Sequence, residues 1–316
     1  MASRDILEPE KAQYSNPIQL YFAATRPAFL LATLAACSLG IAGAVYSGVT
    51  FQFSMALITI SLALLVHAGV NVLNDYFDAL SGTDAMNNER LYPFTGGSRF
   101  IQNGVLTTSQ TAYFGYALLI IAMLGGLYLS WLVGASLLAI GALGVLIGWA
   151  YSASPLSLNG RGLGELCVLA GFLGIVLGAD FVQRRTLSLQ PFMVGMPYAL
   201  LVTNLLFINQ FPDRKADAAA GKRHLVVRLP LTKAVRIYPL LAMLAVLWLC
   251  YFVNLGNLPI LALISALPII FSIKATLILR EFAAMPAQLK PAIQLTLAAM
   301  LSHALLLTLV MIWKMP

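Results

Sequence analysis

Nine apolar stretches, separated by short polar segments, make up most of this chain. Each stretch is close to the roughly 20 residues that a helix needs to cross a hydrocarbon core of about 30 Å. The stretches lie at about 27–46, 52–78, 110–131, 133–151, 163–181, 192–211, 235–254, 257–279 and 292–313. The pattern therefore predicts an all-α fold, a polytopic membrane bundle of nine transmembrane helices.

Composition excludes a water-soluble fold. Of the 316 residues, 60% are hydrophobic and only 10% are charged, and the mean hydropathy is +0.85. A soluble domain carries about 25% charged residues. The net charge of +7 lies in loops, where basic residues set membrane orientation, so it does not indicate nucleic-acid binding. The partner that composition predicts is the lipid bilayer.

The distribution of basic residues predicts the topology. With a polar cytoplasmic head at 1–25, nine spans place all but three of the 19 Lys and Arg residues on the cytoplasmic side, the exceptions being Arg184, Arg185 and Lys314. The positive-inside rule produces this bias. We therefore predict a multi-pass protein of the inner, cytoplasmic membrane, with a membrane domain at 26–316. Its two long cytoplasmic loops, at about 79–109 and 212–234, are the expected place for function.

A cluster of acids and amides closes the second apolar stretch. Asp75 and Asp78 are three residues apart and so share a helical face, with Asn71 and Asn74 on or near it. Asp84 follows in the loop. Carboxylates at this depth are costly and usually functional. Helix capping explains one such residue but not the whole group.

The sixth apolar stretch ends in the same way. Asn209 precedes Asp213 and Asp217, two acids that are four residues apart on a helix. Two carboxylate clusters with oxygen-rich neighbours and without Cys form a site for a hard cation. Such a site suits Mg²⁺ held by a few carboxylates and by substrate phosphates. The implied ligand is a diphosphate.

Basic side chains stand beside both clusters. Guanidinium and ammonium groups bind phosphate oxygens, so these residues are candidates to hold the diphosphate. They are Arg90, Arg99, Arg214, Lys215, Lys222 and Arg223. Membrane orientation alone would also account for any single one of them.

Several motifs together resemble one family. The acid motifs read Asn74-Asp-Tyr-Phe-Asp78 and Asp213-Arg-Lys-Ala-Asp217, and Gly221-Lys-Arg follows the second. Arg26-Pro27 opens the first stretch, and Tyr151-Ser-Ala-Ser-Pro155 leads to Gly162-Leu-Gly-Glu165. This set resembles the UbiA superfamily of intramembrane prenyltransferases over nearly the whole chain.

The resemblance assigns roles to these residues. It implies that Mg²⁺ ions bridge a polyprenyl diphosphate to five acids, namely Asp75, Asp78, Asp84, Asp213 and Asp217. Diphosphate binding would fall to Asn71, Asn74, Arg99, Asn209, Lys222 and Arg223. Tyr151 would shield an allylic cation, through attraction between the cation and the ring face. Glu165 would either orient the acceptor or pair with Arg161.

The acceptor is the finer question. Ser81-Gly-Thr-Asp84 and Phe94-Thr-Gly-Gly-Ser-Arg99 resemble the branch that prenylates 1,4-dihydroxy-2-naphthoate in menaquinone synthesis, with loss of carbon dioxide and diphosphate. Other aromatic acceptors, such as 4-hydroxybenzoate or homogentisate, are the alternatives. An ion-coupled secondary transporter is the rival of another class, because intramembrane Asp and Asn residues also bind coupling ions.

Overall fold

The computed structural model describes residues 7–314 as a helical bundle without strands. Residues 1–6 of the predicted head, and residues 315–316, lie outside the described residues. The α-helices are α1 Pro17–Ala24, α2 Pro27–Tyr46, α3 Phe53–Ser81, α4 Thr83–Met86, α5 Thr108–Val133, α6 Ser136–Ser152, α7 Gly164–Arg184, α8 Gln190–Ala219, α9 Leu225–Arg228, α10 Leu231–Ala234, α11 Ile237–Asn254, α12 Ile269–Phe282 and α13 Lys290–Trp313. The predicted all-α class is confirmed.

The number of membrane spans is close to the prediction. Within residues 7–314, eight helical segments are long and apolar enough to cross a membrane. The remaining predicted span is α6, which has 17 residues and is therefore about 26 Å long. Pro268 divides the predicted span at 257–279 into the 3₁₀ segment Ile260–Ala266 and α12. The protein is a multi-pass membrane protein.

The two helices that end in the acid motifs are longer than a hydrocarbon core requires. α3 has 29 residues and α8 has 30, which corresponds to about 45 Å each, against a core of about 30 Å. Sequence patterning ended the sixth span before Pro212, but α8 continues through this residue to Ala219. A proline removes one backbone donor, and packed neighbours compensate for this loss, since Pro212 is buried. Asp213 and Asp217 therefore lie on a helix.

The main core joins α2, α8, α11 and α13 through buried aromatic residues with paired polar atoms. The Tyr198 hydroxyl donates to the Ala32 carbonyl of α2 at 2.7 Å. Asn204 of α8 donates to the Tyr238 carbonyl at 2.9 Å. Tyr238 in turn contacts Thr296 of α13 at 2.6 Å between hydroxyl oxygens. Such bonds between helices fix their register where every polar group needs a partner.

Candidate functional site

The end of α3 presents its polar face to a cleft. Asn74 donates through Nδ2 to Asp78 Oδ2 at 3.1 Å and to the Ser152 hydroxyl of α6 at 2.9 Å. One turn earlier, Asn71 donates to the Thr25 carbonyl at 3.1 Å. Asp75 is buried, and its Oδ1 accepts from the Ser98 backbone N–H at 3.0 Å. These bonds fix the orientation of the first acid motif.

The α3–α5 loop, residues 82–107, folds back over this motif. Asp84 is buried in the short helix α4, and its Oδ2 has no hydrogen-bond partner. Gly97 has a φ of +73°, and a Cβ built on it would overlap the Asp84 carboxylate and lie 3.1 Å from Asp75 Oδ1. The absent side chain therefore lets the backbone pack directly against both carboxylates.

The same loop also reaches the second acid motif. Asn87 donates through Nδ2 to Asp213 Oδ1 at 2.5 Å. Asn209, one turn before Asp213 on α8, donates to the Phe94 carbonyl at 3.4 Å and keeps its Oδ1 without a partner. One loop thus contacts the ends of both α3 and α8.

A single ammonium group bridges the two motifs. Lys222 Nζ lies 2.9 Å from Asp78 Oδ1 and 3.2 Å from Asp217 Oδ1. His224 Nε2 contacts the other oxygen of Asp217 at 3.0 Å. Because one ammonium group contacts a carboxylate from each motif, the ends of α3 and the chain after α8 are joined through Lys222.

Electrostatics show how strongly this region favours positive charge. Burial, and after it the nearby carboxylates of Asp78 and Asp75, raise the pKa of Asp84 to about 8. Burial acts to lower the pKa of Lys222, but Asp78 and Asp217 outweigh it and raise that pKa above its usual range. Lys222 is therefore protonated at every physiological pH.

A cavity of about 900 Å³ opens from the acid motifs into the bundle. At its polar end lie Asp78, Asp84, Asp213, Asp217, Asn71, Asn74, Asn209 and Lys222. Apolar residues, many of them from α5, α6 and α7, line much of the rest, and Tyr151 also lines the cavity. The cavity thus combines a charged end with an apolar interior, as a molecule with an anionic head and a long apolar tail requires.

Five residues of the predicted site do not line this cavity, namely Asp75, Arg99, Arg161, Glu165 and Arg223. Arg99 is a buried residue of the α3–α5 loop, and its Nη1 donates to the Asp84 carbonyl at 2.5 Å. Arg223 and Arg161 are exposed, and Arg161 donates to the Pro155 carbonyl at 2.6 Å. Glu165 is buried, and its Oε1 accepts from the cavity residue Gln210 at 3.0 Å rather than pairing with Arg161.

Several site residues were absent from the sequence prediction. Asn87, Ser98 and Gln210 each contact one of the acids that line or adjoin the cavity. His224, the residue that follows the Gly221-Lys-Arg motif, contacts Asp217. Asn87 and Ser98 act through a loop whose path the sequence does not specify.

The donors fit a hard cation that is shared with a ligand. Within residues 7–314, no group of three or more His, Cys, Asp and Glu side chains lies close enough to hold a metal ion unaided. Carboxylate oxygens nevertheless converge on Lys222, and Asp84 Oδ2 and Asn209 Oδ1 are buried acceptors without partners. Mg²⁺ usually binds to one or two carboxylates together with substrate phosphates and water.

Comparison with known families explains this arrangement. A model of the UbiA prenyltransferase family matches residues 30–298, which include both acid motifs and the loop between them. The chain belongs to the UbiA prenyltransferase family. The resemblance seen in the motifs is thereby confirmed.

Curated members of the UbiA family are similar to this chain along much of its length. A 1,4-dihydroxy-2-naphthoate octaprenyltransferase of Escherichia coli is 29% identical over 307 residues, covering 94% of this chain and 96% of that protein. The enzyme of the same name from Mycobacterium tuberculosis is 30% identical, covering 55% of this chain and 58% of its own length. A 2-carboxy-1,4-naphthoquinone phytyltransferase of Synechocystis is 28% identical, with 67% and 66% covered.

Solved UbiA structures share the fold. A digeranylgeranylglyceryl phosphate synthase structure has a TM-score of 0.66 at 18% identity, covering 94% of this chain and 99% of that one. A UbiA homolog from Archaeoglobus fulgidus bound to DMAPP and Mg²⁺ has a TM-score of 0.65 at 14% identity, covering 91% and 98%. The helical bundle described above is therefore the UbiA fold.

Proposed function

We propose that this chain transfers a polyprenyl group from a polyprenyl diphosphate to 1,4-dihydroxy-2-naphthoate, with Mg²⁺ as cofactor. The observation that carries the proposal is that one carboxylate from each acid motif contacts the ammonium group of Lys222, and that these residues line a largely apolar cavity. The naphthoate acceptor is supported by the names of the curated relatives. The A. fulgidus homolog bound to DMAPP and Mg²⁺ supports the donor and the metal.

The acid motifs would hold the metal and, through it, the diphosphate. Asp75, Asp78, Asp84, Asp213 and Asp217 supply carboxylate oxygens, and Asn71, Asn74 and Asn209 supply amide groups beside them. Mg²⁺, when bound, would neutralise the diphosphate and make it a better leaving group. Lys222 lies between the motifs and adds a fixed positive charge where negative charge develops. Arg99 and Arg223 act from outside the cavity.

The reaction then needs a dry place for a cation. The carbon–oxygen bond breaks, and its electron pair leaves with the diphosphate, which yields an allylic cation beside Tyr151. The aromatic ring of Tyr151 stabilises this cation and helps to exclude water. The aromatic carbon that bears the acceptor carboxylate bonds to it. The bond between this carbon and the carboxylate then breaks, its electron pair restores the aromatic ring, and carbon dioxide leaves. Glu165, through Gln210, and Arg161 at the nearby surface are the proposed acceptor contacts.

The membrane location is part of the proposal. We place the head, residues up to 25, and both acid motifs at the cytoplasmic face of the inner membrane, and residues 26–316 form the prenyltransferase domain. The bias of Lys and Arg towards that side supports this orientation. A polyprenyl tail enters the apolar part of the cavity, while its charged head remains at the interface.

A mass-spectrometric acceptor screen tests this function. Purified protein with Mg²⁺ and a polyprenyl diphosphate is offered 1,4-dihydroxy-2-naphthoate, 4-hydroxybenzoate or homogentisate. We expect a prenylated product from the naphthoate, lighter by carbon dioxide than the simple adduct. A product only from another acceptor would reject the naphthoate assignment. Uptake of a solute into vesicles, without diphosphate release, would support the transporter instead.

The close packing at Gly97 yields a second prediction. Gly97→Ala should lower prenyl transfer by about a hundredfold, because its Cβ would displace the Asp84 carboxylate and disturb Asp75. Gly104→Ala is the matched control, because Gly104 has a φ of +66° but no atom within 4 Å of an added Cβ. Both variants carry backbone strain of about 1 kcal/mol, measurable by thermal unfolding. Equal turnover in the two variants would contradict the role of the loop.

A further inference from the structure

The segment before the first membrane helix packs onto the α3–α5 loop. Tyr14 lies against Phe100 with ring centroids 5.5 Å apart. Leu20 and Tyr21 of α1 pack against a small core that contains Phe100, Val105 and Leu106. The N-terminal segment, residues 7–24, is therefore bound to the same loop that touches both acid motifs.

One carboxylate in this segment gathers three side chains of the loop. Glu8 Oε1 accepts from Nε and Nη2 of Arg90, each at 2.7 Å. Its Oε2 accepts from Asn103 Nδ2 at 3.3 Å and lies 3.7 Å from Arg99 Nε. Asn103 also donates to the Pro9 carbonyl at 3.0 Å. Glu8 thus joins positions 90, 99 and 103, which are separated along the loop.

Both arginines pass this constraint on to the site. Arg90 donates through Nη1 to the carbonyl of Asn87 at 2.7 Å, and the Asn87 side chain holds Asp213. Arg99 donates through Nη1 to the carbonyl of Asp84 at 2.5 Å. Glu8 is therefore one arginine away from the backbone of a residue at each acid motif.

Burial and charge show that this network depends on Glu8. The side chains of Glu8, Arg90 and Arg99 are 29%, 24% and 10% exposed. Burial acts to raise the pKa of Glu8, but hydrogen bonds from Arg90 and Asn103 and the charge of Arg90 outweigh it, so the pKa is lowered. Arg99 adopts a left-handed φ of +67°, which persists only where surrounding contacts enforce it. Without Glu8, the guanidinium groups of Arg90 and Arg99 would lose the carboxylate that both of them contact.

We propose that Glu8 is a positioning residue, which fixes the α3–α5 loop through Arg90 and Arg99 so that Asp84 and Asn87 stay in place at the acid motifs. This inference rests on the proposed function, because the loop has to hold its acids in position for metal and diphosphate. It gives the N-terminal segment a task that membrane orientation does not require.

Kinetics of Glu8→Gln test the proposal, with Glu10→Gln as the matched control. Glu10 is exposed and lies two residues away, where its contacts are with Gln13. We expect Glu8→Gln to raise the Mg²⁺ concentration for half-maximal activity and the KM for polyprenyl diphosphate by about tenfold. The KM for the acceptor should stay unchanged, a split that general destabilisation would not give. Equal behaviour of the two variants would overturn the proposal.

A double-mutant cycle identifies the path. If Glu8 acts through Arg90, the combined change Glu8→Gln with Arg90→Gln should cost no more than the larger single change. Multiplying effects would show that the two residues act independently and would reject the network.

Hydrogen exchange separates this proposal from the proposed function. In the purified protein without substrate, Glu8→Gln should speed amide exchange at residues 84–100 by about tenfold, whereas Glu10→Gln should not. Unchanged exchange would reject the positioning role, even if the unaltered protein proves to be a prenyltransferase. Faster exchange, with no prenyl transfer by the unaltered protein, would confirm the structural tie and reject the proposed function.

Discussion

Replacing either Asp75 or Asp213 with Asn should abolish prenyl transfer while the protein stays folded. Asn has the shape of Asp and retains an oxygen that can accept from the Ser98 N–H or from Asn87, so the loop contacts survive. What is lost is one negative charge at the proposed Mg²⁺ site. Loss of such transition-state charge stabilisation costs about a thousandfold in turnover.

The control for these variants is Glu89, an acid of the α3–α5 loop that does not line the cavity. Glu89 forms an ion pair with Lys215, so Glu89→Gln removes one charge near the motifs without touching the proposed metal site. Turnover by mass spectrometry, with thermal unfolding measured beside it, compares the three variants. Substantial turnover in Asp75→Asn or Asp213→Asn would show that the two motifs do not act as a metal site.

Replacing Lys222 with Met should lower turnover by about a hundredfold. Methionine keeps much of the apolar stem but removes the ammonium group that bridges Asp78 and Asp217. The departing diphosphate then lacks a fixed positive charge, and such contributions are worth about two to three powers of ten. Because the acids are retained, Mg²⁺ binding should persist while turnover falls.

Lys215→Met is the matched change. Lys215 lies on the last turns of α8, is 74% exposed and pairs with Glu89. It therefore adds the same loss of charge near the site without a position between the motifs. Single-turnover measurements at saturating Mg²⁺ compare the chemical step in the two variants. A similar loss in both would mean that Lys222 acts only through general surface charge.

The acids could be predicted from the sequence because their cost in a membrane makes them conspicuous. Asp75 and Asp78 at a spacing of three, and Asp213 and Asp217 at a spacing of four, indicate shared helical faces before any coordinates are known. This spacing does not show that Lys222 contacts an acid of each motif. The bridging role of Lys222 depends on how the chain turns after α8 ends at Ala219.

The end of α8 shows why local rules failed at one point. Pro212 ordinarily marks the end of a helix, and the sequence prediction stopped there. Tertiary packing overrides this preference, because Phe211 and Pro212 are both buried. As a result, the helix that the four-residue spacing of Asp213 and Asp217 indicates is continuous with the sixth span.

The residues that the sequence could not identify depend on the path of the α3–α5 loop. Asn87 reaches Asp213 across 126 positions, and Glu8 reaches Arg90 across 82. No helical periodicity links such positions, since the two residues of each pair do not lie on the same helix. Arg99 illustrates the same point. The sequence prediction has this residue bind the diphosphate, whereas its guanidinium group donates to the backbone carbonyl of Asp84.

Binding of Mn²⁺, followed by electron paramagnetic resonance, tests most directly whether the two motifs form one metal–diphosphate site. Mn²⁺ shares the preference of Mg²⁺ for oxygen ligands, and a prenyl thiodiphosphate serves as a slowly reacting donor. The account predicts that the thiodiphosphate tightens Mn²⁺ binding to the unaltered protein, and that Asp75→Asn and Asp213→Asn each abolish this effect. Mn²⁺ binding that is equally tight with and without the thiodiphosphate, or unchanged in both variants, would contradict it.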